Sequence, residues 1–345
     1  MTHVYVGMSG GVDSSLTAAL LKEQGYTVTG VYMKNWTKDL PGMKCPWADD
    51  LADAKRVAVQ LGIDFKVFDF ENEYKQKVVD YMIDEYKLGR TPNPDIMCNQ
   101  EVKFKLFLET ALEDGADMIA TGHYARVLDG VLKQAVDANK DQTYFLYRVT
   151  EGALLKTLFP LGELTKPAVR EMAKERGLYT AAKKDSQGIC FVGQIGIREF
   201  LSQYVKQVAG LIIDKKTGKK LGQHDGAIFY TIGQRHGLDL GGGLPYYVVG
   251  KDMDKNEVYV TTDLNDDTLW RPELRLASVH WINQPPIEGS YHVRIRHRAQ
   301  LAAVTVSFNG DEVQVVLAHA ERAAAAGQSV VIYDGDICIG GGIIA

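Results

Sequence analysis

Apolar and polar positions in the first half of the chain follow two alternating periods. Residues 4–6, 27–33 and 64–68 are short apolar or β-branched runs and read as strands. The stretches 14–24, 49–61 and 74–88 carry apolar residues at helical spacing. A helix over 101–113 and a strand over 118–121 continue the series, and a further helix over 169–176 follows Pro167 and stops at Gly177. Such βα alternation predicts an α/β fold with a doubly wound parallel sheet covered on both faces. Beyond about residue 205 the helical period is lost. Short β-like runs replace it at 211–213, 227–230, 246–249, 257–260, 292–298, 302–308, 312–317, 330–333 and 337–339. The last two are joined across Asp334-Gly335, a strong hairpin signal. One or two small β domains are expected there.

The length of 345 residues fits two or three domains, and 46% hydrophobic with 24% charged residues is an ordinary globular composition. Neither a signal segment nor a run long enough to span a membrane is evident, so a soluble cytoplasmic protein is expected. A net charge of -5 argues against indiscriminate coating of nucleic acid and requires any nucleic-acid site to be a local basic patch. The four cysteines, Cys45, Cys98, Cys190 and Cys338, form no C-x-x-C pair, which points away from zinc and from a disulfide framework.

Candidate chemistry begins directly behind the first strand. Ser9-Gly10-Gly11-Val12-Asp13-Ser14 links residues 4–6 to a helix. Glycines there let the backbone approach an anion, while the turn's N–H groups and the helix start point at it. The P-loop lysine and G-x-G-x-x-G are both absent, so neither a P-loop kinase nor a dinucleotide-binding dehydrogenase fits. The turn resembles the pyrophosphate loop of the PP-loop ATPases, which cleave ATP between its α- and β-phosphates.

Two cysteines have unusual surroundings. Cys98 follows Pro92-Asn93-Pro94-Asp95, and Asn99 is expected to cap the next helix, which places Cys98 at a helix N-terminus that favours its thiolate. Cys190 follows Lys183-Lys184 and Gly188. Cys45 and Cys338 read as small buried hydrophobes. Met33-Lys34-Asn35 and Thr121-Gly122-His123-Tyr124 lie past the carboxyl ends of strands, where open sheets bind ligands, and 139–146 is a polar-to-aromatic loop containing Lys140, Asp141 and Gln142. Within 291–298, period two puts Arg294, Arg296 and Arg298 on one strand face, a ready phosphate-binding stripe that Lys215-Lys216-Thr217-Gly218-Lys219-Lys220 and Lys183-Lys184 extend.

Taken together, 7–15, 33–36, 89–99, 120–124, 140–142, 184–191 and Gly340-Gly341-Gly342-Ile343-Ile344 resemble, in order, the tRNA-specific 2-thiouridylases of bacteria, the MnmA family. The resemblance implies a PP-loop ATPase domain over 1–203, a small central β domain over 204–274 and a C-terminal tRNA-binding β-barrel over 275–345. It implies ATP and Mg²⁺ as cofactors, the wobble uridine of tRNAs for Lys, Glu and Gln as substrate, and a cysteine desulfurase or sulfur-relay protein as persulfide donor. Carried over, Gly7, Met8, Ser9, Gly10, Gly11, Val12, Asp13, Ser14, Met33 and Gly122 would bind ATP, with Asp13 and Ser14 on the metal. Asn93, Pro94 and Asp95 would meet the flipped base, with Asp95 as proton shuttle. Cys190 would receive sulfur as a persulfide and Cys98 would be the nucleophile. Either Cys98 attacks that persulfide, releasing hydrosulfide and leaving a Cys98–Cys190 disulfide, or the persulfide sulfur attacks directly. His123, Lys140, Asp141, Gln142, Arg296, His297 and Gln328 match tRNA contacts, although His297 stands where the family has Tyr. The competing readings are another PP-loop adenylator forming an amide, and a tRNA-binding module without base chemistry.

Overall fold

The computed structural model describes residues 1–39, 45–184, 196–241, 243–310 and 312–345. A five-stranded parallel sheet forms first. Its strands β1 (His3–Gly7), β2 (Thr27–Lys34), β3 (Asp64–Asp69) and β4 (Met118–Ala120), with the edge strand Thr157–Leu158, lie in the order β3-β2-β1-β4-edge. Because β1 pairs with β2 on one side and β4 on the other, chain order reverses at β1, and the crevice outside its carboxyl end is the topological switch point. Side chains of β1 alternate as a strand requires. Val4 and Val6 pack with Leu21, Ala54 and Val57 of the helices α1 (Val12–Glu23) and α2 (Trp47–Leu61), and Tyr5 packs on the opposite face with Phe107 and Ile119. Both faces are covered, so Val4, Tyr5 and Val6 are all at most 1% exposed.

Two widened, π-helical stretches interrupt the helices on the Tyr5 side. The first is Lys75–Asp80, between Glu71–Tyr74 and Tyr81–Lys87, and the second is Cys98–Leu106, between Pro94–Met97 and Phe107–Glu113. Such stretches are often found at functional sites.

Next comes a four-stranded sheet in the order Tyr247–Asp252, Glu257–Thr261, Gly210–Asp214, Lys220–His224. The lysine-rich turn joins the last two as a hairpin. The expected strand at 227–230 is instead a 3-10 turn, Ala227–Phe229, whose three residues are all buried and so show no strand alternation.

The third unit is a closed six-stranded barrel. Trp270–Trp281 pairs with Glu312–Arg322, and the ladder continues through Ala302–Asn309, Gly289–Arg294, Ser329–Asp334 and Ile337–Ile344 back to Trp270–Trp281. Leu274, Val293, Val304, Val315, Val330 and Ile332 fill its core. The expected strand at 292–298 ends at Arg294: Val293, Arg294 and Ile295 are buried in succession and Arg298 turns to φ 64°, so there is no period-two face beyond it. A hairpin from the first unit, Arg126–Leu128 with Val131–Lys133, docks on the barrel, with Lys133 opposite Ile337 and Arg126 paired to Asp336 at 2.9 Å. Among the described residues no helix is long and apolar enough to cross a membrane.

Candidate active site

The glycine loop leaves β1 at the switch point. Gly11 caps α1, which starts at Val12 and not at Ser14 as the sequence suggests. Ser14 therefore points back into the loop: its Oγ accepts from the Ser9 N–H at 3.1 Å and donates to the Gly11 carbonyl at 3.2 Å. Gly10 sits at φ 74°, and a Cβ there would lie 2.3 Å from the Asp50 carbonyl oxygen. Gly122, past β4, lies against the same loop: a Cβ would lie 2.8 Å from the Ser14 nitrogen. Met33 reaches over Gly7, with its methyl 2.9 Å from where a Cβ would stand. The sequence-predicted ATP residues Gly7, Gly10, Gly11, Asp13, Ser14, Met33 and Gly122 thus meet around one loop.

Asp13 has partners the sequence does not announce. Lys166, 8% exposed at the start of the helix Lys166–Glu175, donates to both Asp13 carboxylate oxygens at 2.6 and 2.8 Å. The Tyr124 hydroxyl donates to Asp13 Oδ1 at 2.8 Å, and Gln142 Oε1 holds the Tyr124 backbone N–H at 2.9 Å. The helix expected over 169–176 begins three residues earlier, and nothing in the sequence singles out Lys166. Both Asp13 oxygens are engaged and Ser14 is turned inward. Among the described residues no group of three or more His, Cys, Asp or Glu side chains gathers to hold a metal. The expected Asp13/Ser14 metal pair does not fit as a protein-built Mg²⁺ site.

A second cluster surrounds Cys98. Asn93, not Asn99, is the cap: its Oδ1 accepts from the Asp95 N–H at 3.1 Å, and Pro94 takes the first helical position, where its missing N–H costs nothing. The helical run therefore begins four residues before Cys98, and Asn99 is inside it with its Nδ2 donating to the Phe145 carbonyl at 3.2 Å. The thiol of Cys98 is 2% exposed. Burial pushes its pKa up, helped by the nearby Asp95 carboxylate and opposed by Lys103 and Tyr74, which corrects the expectation of a favoured thiolate. Cys45 and Cys338 are buried free thiols, as expected of small hydrophobes. Cys190 and the stretch 185–191 lie outside the described residues.

Asn93 and the neighbouring Thr91 border a cleft of about 140 Å³ whose other walls come from far along the chain: Tyr144, Arg296, His297 and Gln328. Four of the sequence-predicted base and tRNA residues thereby share one cleft. Tyr144 braces it, with its hydroxyl 3.1 Å from the carbonyls of Ile295 and Ser329. His297 packs against Phe145 with ring centroids 4.5 Å apart and planes tilted by 43°. Its pKa falls to about 4, through burial first and then the Arg298 and Arg294 cations, which outweigh the Asp141 carboxylate.

Three residues expected to face tRNA do not. Arg294 and Asp141 form an ion pair inside the protein, with side chains 9% and 0% exposed. Asp141 also accepts from the Ala135 N–H and the Thr143 hydroxyl, and Arg294 lies over the Tyr333 ring. A charge so buried needs its partner, and so Arg294 leaves the phosphate stripe. His123 is packed against Phe104 and Phe159, with Nδ1 2.7 Å from the Thr121 hydroxyl, and burial holds it neutral.

A parallel sheet with a glycine loop at its switch point, followed by a small β sheet and a closed barrel, defines an α/β protein of the HUP class with two appended β domains. Family models agree in order: a tRNA methyl transferase HUP domain matches residues 2–194, a tRNA methyl transferase PRC-barrel domain 198–262 and an aminomethyltransferase beta-barrel domain 271–344. The chain is 50% identical to the tRNA-specific 2-thiouridylase MnmA of Bacillus licheniformis, covering 99% of this chain and 95% of that one. The Bacillus subtilis protein of the same name is 48% identical, again over 99% and 95%. The chain belongs to the tRNA-specific 2-thiouridylase family. Among solved structures, a 4-thiouridine synthetase–RNA complex with bound ATP is 20% identical with a TM-score of 0.40, covering 59% of this chain and 50% of that one. The U34-tRNA thiolase NcsA from Methanococcus maripaludis with its 4Fe-4S cluster is 18% identical with a TM-score of 0.38, covering 59% and 65%.

Proposed function

We propose that this protein is a tRNA-uridine 2-sulfurtransferase that uses ATP to activate the wobble uridine and a protein persulfide to replace its carbonyl oxygen by sulfur. The observation that carries the reading is the cleft in which Asn93 meets Arg296, His297 and Gln328, at the start of the helical run bearing Asp95 and Cys98. A base inside a stack hides its carbonyl, so it has to be turned out into such a cleft.

The carbonyl oxygen of uracil is a poor leaving group. ATP supplies the remedy: the oxygen bonds to the α-phosphorus and pyrophosphate departs. The loop 7–14 and the Lys166 cation suit the departing anion, since N–H groups and a fixed positive charge placed before the reaction need no reorganisation during it. Asp95, beside the base cleft, serves the ring proton. Sulfur carried on Cys190 then attacks the activated carbon, either directly or after Cys98 displaces it as hydrosulfide, and AMP leaves. In the direct route the base is left joined to Cys190 through an S–S bond, which Cys98 breaks by attacking the Cys190 sulfur. In either route a Cys98–Cys190 disulfide forms and an external thiol must reduce it. No step is assigned to Mg²⁺ held by protein groups. The tRNAs for Lys, Glu and Gln are the proposed substrates, and a cysteine desulfurase or relay protein the donor.

The test incubates the protein with tRNA, ATP, Mg²⁺ and sulfide and looks for retarded, thiolated tRNA on a mercury-containing gel, with AMP and pyrophosphate as co-products. Formation of ADP and phosphate would contradict the loop's assignment. Tight tRNA binding with no thiolation would favour a binding module.

A further inference from the structure

Beyond the base cleft, and sharing Arg296 and Gln328 with it, opens a second cleft of about 480 Å³ between the central sheet and the barrel. That volume lies in the range of pockets that enclose a small ligand, whereas the first cleft falls below it. Its walls include Gln234, Tyr247, Arg322 and Ala323, and among the described residues no acidic side chain lines it. The Arg322 guanidinium lies over the Tyr247 ring, 4.6 Å from its centroid, so an aromatic plane and a cation are offered as one surface.

The backbone here is shaped to hold Arg296 between the two clefts. Ala323 adopts φ 58°, a conformation that side chains with a Cβ seldom take. Through this turn the carbonyls of Arg322 and Ala323 both accept from one Arg296 nitrogen, at 2.8 and 2.6 Å. Gln328 uses its Oε1 on the Ala325 N–H at 3.1 Å, and its Nε2 has no hydrogen-bond partner among the described residues. An arginine and an amide donor thus stand on the ridge separating a base-sized cleft from a nucleotide-sized one.

Resting on the reading that the first cleft receives the target uridine, we propose that the second seats the nucleotide adjoining it in the same strand, with its base stacked against the Arg322–Tyr247 pair. Single-stranded RNA with its bases splayed apart is held in this way, by aromatic rings and guanidinium planes together with backbone charge contacts. Arg296 on the ridge would face the phosphate linking the two nucleotides. Occupation of the second cleft would then set which tRNAs are good substrates, because it touches a base that the reaction does not change.

The experiment compares the full-length protein with Tyr247→Ala, Tyr247→Phe and Arg322→Gln. Each is given intact tRNA and two ligated tRNAs, abasic at the 5′ or at the 3′ neighbour of the target uridine. Tyr247→Ala is expected to raise KM for intact tRNA by about 5- to 150-fold, the range of losing one stacked base, with a smaller change in kcat, and Tyr247→Phe to restore it. One of the two abasic tRNAs should cost the wild type a similar factor, and Tyr247→Ala should lose little more on that RNA. An unchanged KM in Tyr247→Ala, or losses that multiply on both abasic RNAs, would overturn the proposal. Should the wild type fail to thiolate at all, the enzyme reading is what fails. The same comparison read by equilibrium RNA binding then still decides whether the cleft seats a nucleotide.

Discussion

Cys98 is a buried thiol whose ionisation burial resists, so the ligand-free protein should protect it. Its alkylation by iodoacetamide is expected to be slow at neutral pH and still climbing above pH 9, where an ordinary cysteine near 8.5 is levelling off. Levelling at pH 8 would contradict the burial. Cys98→Ser should abolish persulfide-dependent thiolation while Cys45→Ser leaves it intact, both read on the mercury gel. At His297 the sign is that of a base held neutral. Its folded pKa of about 4 lies below the ordinary 6.5, so the unfolded chain binds the proton first. The associated stability is present above pH 6.5 and drains away as pH falls towards 4. His297→Gln should flatten that part of the Tm-against-pH curve, and an equally steep curve would show that another group is responsible.

At the scale of elements, legibility followed local periodicity. β1 to β4 and the helices around them were readable because buried parallel strands are apolar runs and their helices keep one period. Two signals in plain view went unread. Asp129-Gly130 is a two-residue hairpin turn with φ 49° and 77°, and it builds the hairpin that docks on the barrel. Trp270–Trp281 contains Pro272 and exposes several of its residues, so its alternation is blurred, although it closes the barrel. The loop's glycines were legible as an anion cradle, but Lys166 was not, because a lysine's partner 153 residues away leaves no local trace. The helix that presents Lys166 gives a prediction of its own. Lys166→Gln should leave the sheet folded and suppress tRNA-dependent pyrophosphate release at least 10-fold, since a preplaced charge at a developing anion commonly contributes that much. Unimpaired release would remove Lys166 from the site.

At the scale of the whole molecule, the Arg294–Asp141 pair fastens the barrel to the first unit. Arg294→Met alone should cost about 3–5 kcal/mol by leaving Asp141 buried without its cation, measured by urea denaturation. Adding Asp141→Asn should recover part of that loss, and two equal and additive losses would mean that the pair is not coupled. The sequence could not reveal this pair, because an arginine in an alternating strand reads the same whether it faces water or a buried carboxylate. The docked hairpin has a further consequence, in time rather than in space. Arg126 and Asp336 are 210 residues apart, so their contact can form only after two separately nucleated parts of the chain have found each other. The seam should therefore be absent from the rate-limiting transition state of folding. Asp336→Asn is then expected to speed unfolding while leaving the refolding rate almost unchanged, as read from the two arms of a stopped-flow chevron.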